Sequence, residues 1–276
     1  MKRFTAAAFA LLLLTAAFAQ EKTDIFTVAL EASSYLYKEP GDHPVKMPGR
    51  MYGASAEYMH GGMGKHGRSF IALDLLYMQG SVDYDGWYRD LNTGTYTKAD
   101  ASGIDNYYLE SRFKFGGAFN PSDNLKLSPY TGLGGRYLVN SLGAKPGGYD
   151  RTSLYVYIPL GLKTDLMLPH GWGLGFYAEY DWLLMGKQRS KMSDVNPLWN
   201  NLTNDQSKGY GIKLSVRAKK DLKKMGIFAE PFFRYWNIQE SDESVLITPG
   251  YTPDRRIMVE PKNETHEWGL RAGIYF

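Results

Sequence analysis

Glu267-Trp-Gly-Leu-Arg-Ala-Gly-Ile-Tyr-Phe276 ends the chain, and it divides into two unlike faces when read two residues at a time. Trp268, Leu270, Ala272, Ile274 and Phe276 share one face, which is apolar throughout. Glu267, Gly269, Arg271, Gly273 and Tyr275 share the other, with a charge of each sign. Successive side chains on a strand point to opposite faces. The stretch is therefore predicted to be a strand lying between an apolar medium and a polar one.

Working outward from it, nine further segments have the same period. They run over Ile25 to Lys38, Met51 to Met59, Arg68 to Met78, Ile104 to Phe119 and Leu127 to Val139. The rest run over Thr152 to Asp165, Trp172 to Leu184, Gly209 to Lys219 and Met225 to Ile238. Charges within a segment are predicted to keep to one parity, as Glu110, Arg112 and Lys114 do opposite Leu109, Phe113 and Phe115. A lipid-facing surface disfavours Lys or Arg at mid-membrane by roughly 2–4 kcal/mol. A solvated sheet has no comparable reason to keep ten apolar faces clean. Segments of about 9–14 residues suit tilted membrane strands. Pro129, Pro159 and Pro231 fall inside segments, where bulges or strand ends are expected, because a closed sheet has no free edge for proline.

The connections alternate as well. Those after odd segments are long: Glu39–Arg50, Gln79–Gly103, Asn140–Arg151, Met185–Lys208 and Gln239–Asn263. Those after even segments are short: His60–Gly67, Asn120–Lys126, Leu166–Gly171 and Lys220–Lys224. Long extracellular loops and short periplasmic turns have this rhythm. Val245 to Ile247, within the last long connection, is a candidate for an extra hairpin. Outward aromatics such as Tyr58, Tyr77, Tyr107, Trp172 and Trp268 lie toward segment ends, as interfacial girdles do.

Residues 1–19 are predicted to be a signal peptide: basic Met1-Lys2-Arg3, an apolar run to Phe18, then Ala17-Phe18-Ala19 before Gln20. Residues 20–276 form a single barrel domain. The chain has 0 Cys, which excludes disulfides, thiolate metal sites and cysteine nucleophiles. A net charge of +3 is too small to imply nucleic acid.

With these segments in hand, the chain resembles small bacterial outer-membrane β-barrel proteins of Gram-negative cells. Particular stretches look like a family of mostly uncharacterised barrels: Ser128-Pro-Tyr-Thr-Gly-Leu-Gly-Gly-Arg136-Tyr, Asn204-Asp-Gln-Ser-Lys-Gly-Tyr210 and Glu230-Pro-Phe-Phe-Arg234-Tyr-Trp-Asn237. The resemblance implies an all-β, antiparallel, up-and-down transmembrane barrel of about ten strands in the outer membrane. It also implies that the terminal strand, closing on Phe276, is read by the assembly machinery. Outer-membrane lipid and lipopolysaccharide are the implied surroundings, with Lys187, Arg189 and Lys191 placed to meet anionic headgroups.

The inward parity assigns a lumen charge network. Its acids are Glu31, Glu57, Asp74, Glu110, Glu179, Asp181, Glu230 and Glu267. Its bases are Arg112, Lys114, Arg136, Lys163, Lys213, Arg217, Arg234 and Arg271. Arg68 falls on the same parity. Barrels of about eight strands are filled by side chains, and opposite charges in a narrow lumen should pair. The expected function is thus a non-enzymatic barrel with an occluded lumen and a structural or surface-loop binding role. The alternatives are a narrow porin-like channel and a soluble periplasmic lipocalin-like binder. Omptin-type proteases are similar in size, and a resemblance to them would require rim aspartates with an Asp-x-His element. Asp83 and Asp85 lie in Asp83-Tyr-Asp-Gly-Trp-Tyr-Arg-Asp90, but no Asp-x-His follows. No enzyme activity, cofactor or metal is expected.

Overall fold

The structure, a computed structural model, describes residues 24–64, 67–90 and 93–276. The predicted signal peptide lies outside the described residues. The strands are β1 (Asp24–Glu39), β2 (Val45–Gly64), β3 (Gly67–Arg89), β4 (Tyr96–Ser122), β5 (Leu125–Ser141), β6 (Asp150–Met167) and β7 (Trp172–Ser190). They continue as β8 (Leu202–Gln206), β9 (Gly209–Asp221), β10 (Gly226–Ile238), β11 (Ser244–Ile247), β12 (Arg255–Met258) and β13 (Asn263–Tyr275).

Each barrel strand pairs antiparallel with its neighbours in chain order, and β13 closes on β1, giving 10 wall strands. Closure runs to the last residue: the Phe276 amide donates to the Phe26 carbonyl at 2.9 Å. A closed wall satisfies its own backbone groups, which is what a segment without water around it requires. β8 extends the wall beyond β9 by pairing with the upper part of β7. The candidate hairpin exists: Val245 to Ile247 belong to β11, which pairs with β12.

The outer face carries the predicted apolar belt, with Leu30, Leu73, Leu109, Phe113, Leu133, Leu160, Leu214 and Leu270 all exposed. Aromatics ring its upper edge. Tyr180 stacks on Tyr210 and Phe233 packs on Trp268 with ring centroids 5.7 and 4.2 Å apart.

Two expectations are corrected. First, the strands are longer than predicted, reaching 27 residues in β4. Most of the Gln79–Gly103 connection is strand. Above Tyr77 the outward residues of β3 become Gln79, Ser81, Asp83 and Asp85, while Val82 stays buried inside. The period of two continues, but the outward residues are now polar, so an apolar outer face no longer marks the strand. Lys38 and Asp105 break the predicted charge parity near the upper ends of β1 and β4, and Asp105 is exposed. Second, the prolines lie within strands, without bulges. Pro129 and Pro159 keep a partner on one side, Leu162 and Asp181, while the ladder opposite skips past them in unchanged register. Pro231 pairs with Leu270 and interrupts the β9–β10 ladder in the same way. A missing amide costs one ladder bond and leaves the register alone. The register shifts lie elsewhere, between Val82 and Tyr84, Phe119 and Ser122, and Val156 and Tyr157.

Glycines make room for large inward rings. A Cβ on Gly134 would lie 2.3 Å from the Tyr157 ring, and one on Gly161 would lie 2.1 Å from the Tyr130 ring. The rings lie across the neighbouring strand and fill the space its missing side chains leave.

Candidate functional site

All sixteen predicted lumen charges, named above, point inward and join ion pairs. Arg112 of β4 reaches Asp74 of β3 at 3.0 Å and Glu179 of β7 at 2.8 Å. Lys114 reaches Asp74 at 2.7 Å and Glu57 of β2 at 3.0 Å, and Lys163 of β6 meets the same Glu57 at 2.7 Å. Lys213 of β9 sits among Glu110, Glu179 and Asp181 at 2.6, 3.0 and 3.1 Å. A second group joins β1, β10 and β13. Arg234 pairs with Glu31 and Glu267, and Glu230 receives both Arg217 and Arg271.

Tyrosines connect the groups. The Tyr108 hydroxyl donates to Glu267 at 2.8 Å and accepts from Arg234 at 3.2 Å. Tyr130 and Tyr177 both donate to Glu179, at 2.7 and 2.6 Å. Arg136 makes a weak approach to Glu110, 3.9 Å away, and lies 4.0 Å over the Tyr108 ring centroid. Buried charge is costly unless paired and hydrogen-bonded, and equal numbers of acids and bases in one narrow space meet that condition.

Above the charges the β1–β4 side of the lumen is apolar, which the sequence reading missed, while Asn140, Ser153, Gln188 and Gln206 are buried on the other side. Met47, Met51, Met78, Val82 and Ile104 pack with Tyr35 and Tyr108 into one buried cluster. Higher still, the loop before β13 folds over the mouth. Leu246 of β11 is fully buried against Met192, Trp199 and Leu202. Glu260 of that loop takes an ion pair from Arg151 of β6 and a 2.9 Å hydrogen bond from Gln188 of β7. Arg151 also pairs with Glu39 of β1 at 2.9 Å. Glu39 and Arg151 share the inward parity of their strands and were legible once those strands were extended. Glu260 carries no such signal.

The loop candidates are dispersed. Asp83 and Asp85 lie on the outer side of β3, away from the lumen. Asp83 accepts from the Gly103 amide at 3.0 Å, and Asp85 pairs with Lys98. His266 packs outward against Tyr235, ring centroids 4.9 Å apart. His43 stacks on Tyr96 at 3.6 Å, at the tip of the β3–β4 hairpin. Of the basic trio, Lys187 approaches Asp205 at 3.6 Å and Lys191 pairs with Asp194 at 2.6 Å. That hydrogen bond holds the Asp194 carboxyl below its ordinary value.

Wall, belt and filled lumen define a transmembrane β-barrel of the outer-membrane type. The outer membrane protease OmpT of Escherichia coli is similar with a TM-score of 0.59 at 11% identity, covering 92% of this chain and 96% of that one. The toluene transporter TbuX of Ralstonia pickettii matches with a TM-score of 0.39 at 10% identity, covering 93% and 89%. The beta domain of the Bordetella autotransporter BrkA matches with a TM-score of 0.36 at 13% identity, covering 91% and 98%. No family model matches the sequence, and no curated protein does. At this identity the likeness to OmpT is one of fold alone, and no catalytic residue is carried over. It nonetheless overturns the expectation that the chain is not an enzyme, because a protease has this architecture.

Proposed function

We propose that the chain is an outer-membrane barrel that keeps its lumen shut and meets its surroundings through its extracellular loops. The observation that carries this reading is the crosswise pairing of the lumen charges. Lys213 with Glu110 and Lys163 with Glu57 run from wall to wall, so side chains occupy the path an ion would take. The apolar layer and the folded loop above add two further barriers.

In this reading Arg189 and Lys187, exposed above the belt, contact anionic headgroups of lipopolysaccharide. Phe276 serves the assembly machinery as the end of the closing strand. The test is planar-bilayer conductance of refolded protein. No unitary steps are expected. Stable steps that shift when Arg136 or Glu110 is neutralised would establish a narrow channel instead.

A further inference from the structure

The lumen network is not uniformly buried, and its exposure has a direction. Glu110, Glu179 and Asp181 have side chains 0–1% exposed. Lys163, Arg217 and Arg271 are 22, 28 and 19% exposed, and the acids Glu57 and Asp165 are 19 and 33% exposed. The pair below them, Lys219 with Asp165, lies toward the ends of β9 and β6 that lead into the short turns. Short turns mark the periplasmic side. The lumen is therefore sealed in its middle and above, and opens downward as a cup.

The cup holds a cavity of about 100 Å³. An engineered cavity of about 150 Å³ takes a benzene molecule, so this one matches a small ion with few atoms. Its lining carries seven cationic side chains and five acids. Four further acids of the network, Glu110, Glu179, Asp181 and Glu267, lie on the sealed side of the lumen and do not line the cavity. Charge is balanced over the lumen, but the cavity lining by itself carries two more cations than acids. Hydroxyls of Thr27, Ser55 and Ser215 line the same space. An excess of cations around a space closed at one end attracts negative charge.

We propose that this vestibule binds a small free oxyanion of the phosphate or carboxylate class, entering from the periplasmic side, with Lys163, Arg217 and Arg271 as its ligands. The inference rests on the shut lumen in one respect: the blocked middle makes the cup a dead end where an anion resides rather than passes. A lipid headgroup is too encumbered by its chains to enter a cavity of this size inside the wall.

The experiment is calorimetric titration of refolded, detergent-solubilised full-length protein with inorganic phosphate, with acetate and glycerol in parallel arms. Saturable 1:1 binding of phosphate or acetate, absent for glycerol, is expected. Arg217→Gln should weaken it roughly tenfold or more, the effect of losing one charge-assisted hydrogen bond. Arg217→Lys should restore most of it, and Lys223→Gln, on the exposed turn, should leave it unchanged. No saturable binding, or equal binding by Arg217→Gln with its unfolding midpoint intact, would overturn the proposal. Binding that Lys223→Gln abolishes as strongly would move the site to the turn and overturn it too. Conductance steps in a protein that still binds phosphate would sink the shut lumen and keep the site. A silent bilayer with no binding would do the reverse.

Discussion

Lys213 and Glu110 join strands that stand nearly opposite each other in the wall: Nζ of one lies 2.6 Å from Oε1 of the other, across 103 residues of sequence. Such pairs are struts. They tie β9 to β4 and β6 to β2, strands that share no backbone hydrogen bond, so the lumen is braced by side chains as well as closed by its ladder.

Breaking one strut should cost more than removing both ends. Glu110→Gln leaves Lys213 and Arg136 partly uncompensated in a buried place, a loss of about 3–5 kcal/mol. The double change Glu110→Gln with Lys213→Met should cost less than the sum of the singles. Urea unfolding of the four proteins in one detergent measures the coupling. Additive losses would mean that the pair does not act as a unit.

The lipid boundary predicts a contrast along a single strand. Leu73→Arg, in the apolar belt of β3, should destabilise the barrel by roughly 2–4 kcal/mol. Ser81→Arg, on the same outward parity beyond Tyr77, should lie within about 0.5 kcal/mol of the parent. Unfolding from lipid vesicles reads both. Equal costs would place the membrane edge elsewhere.

Arg151 latches the loop before β13 through Glu260 and ties it to Glu39 on the far wall. Arg151→Gln should raise amide hydrogen exchange across residues 239–262 while leaving the protection of β1 to β4 unchanged. Unaltered exchange in that loop would show that the apolar packing of Leu246 and Trp199 holds it alone.

Deleting Phe276 removes one terminal backbone pair, with Phe26, and an exposed ring. Insertion into the outer membrane of cells should fall severalfold, while the midpoint of the refolded barrel moves little. A large loss of midpoint with normal insertion would assign Phe276 a purely structural role.

Much of this architecture was open to reading from the chain because the period of a strand is two. Glu267 and Arg271 fall on one face of the last ten residues and Trp268 and Leu270 on the other, and the fold keeps each on that side of the wall. The same reading lost the strand tips and the apolar upper lumen. Beyond Tyr77 the outer face meets water, and Gln79 and Asp83 look like a loop to anyone searching for a lipid face. Prolines misled for a related reason: Pro231 forfeits a single ladder bond, while the many bonds around it hold the register.

What the sequence by itself determined is therefore which side of the wall each residue takes, since alternation is a local property of extended backbone. What only the tertiary structure decided is which charge meets which. Lys163 and Glu57 lie 106 residues apart and touch because the tenth strand returns to the first and brings opposite walls within reach of two side chains. The direction of the lumen, sealed above and open to the short turns, follows from the same closure. It depends on how the faces stack along the barrel axis, and a period of two says nothing about that.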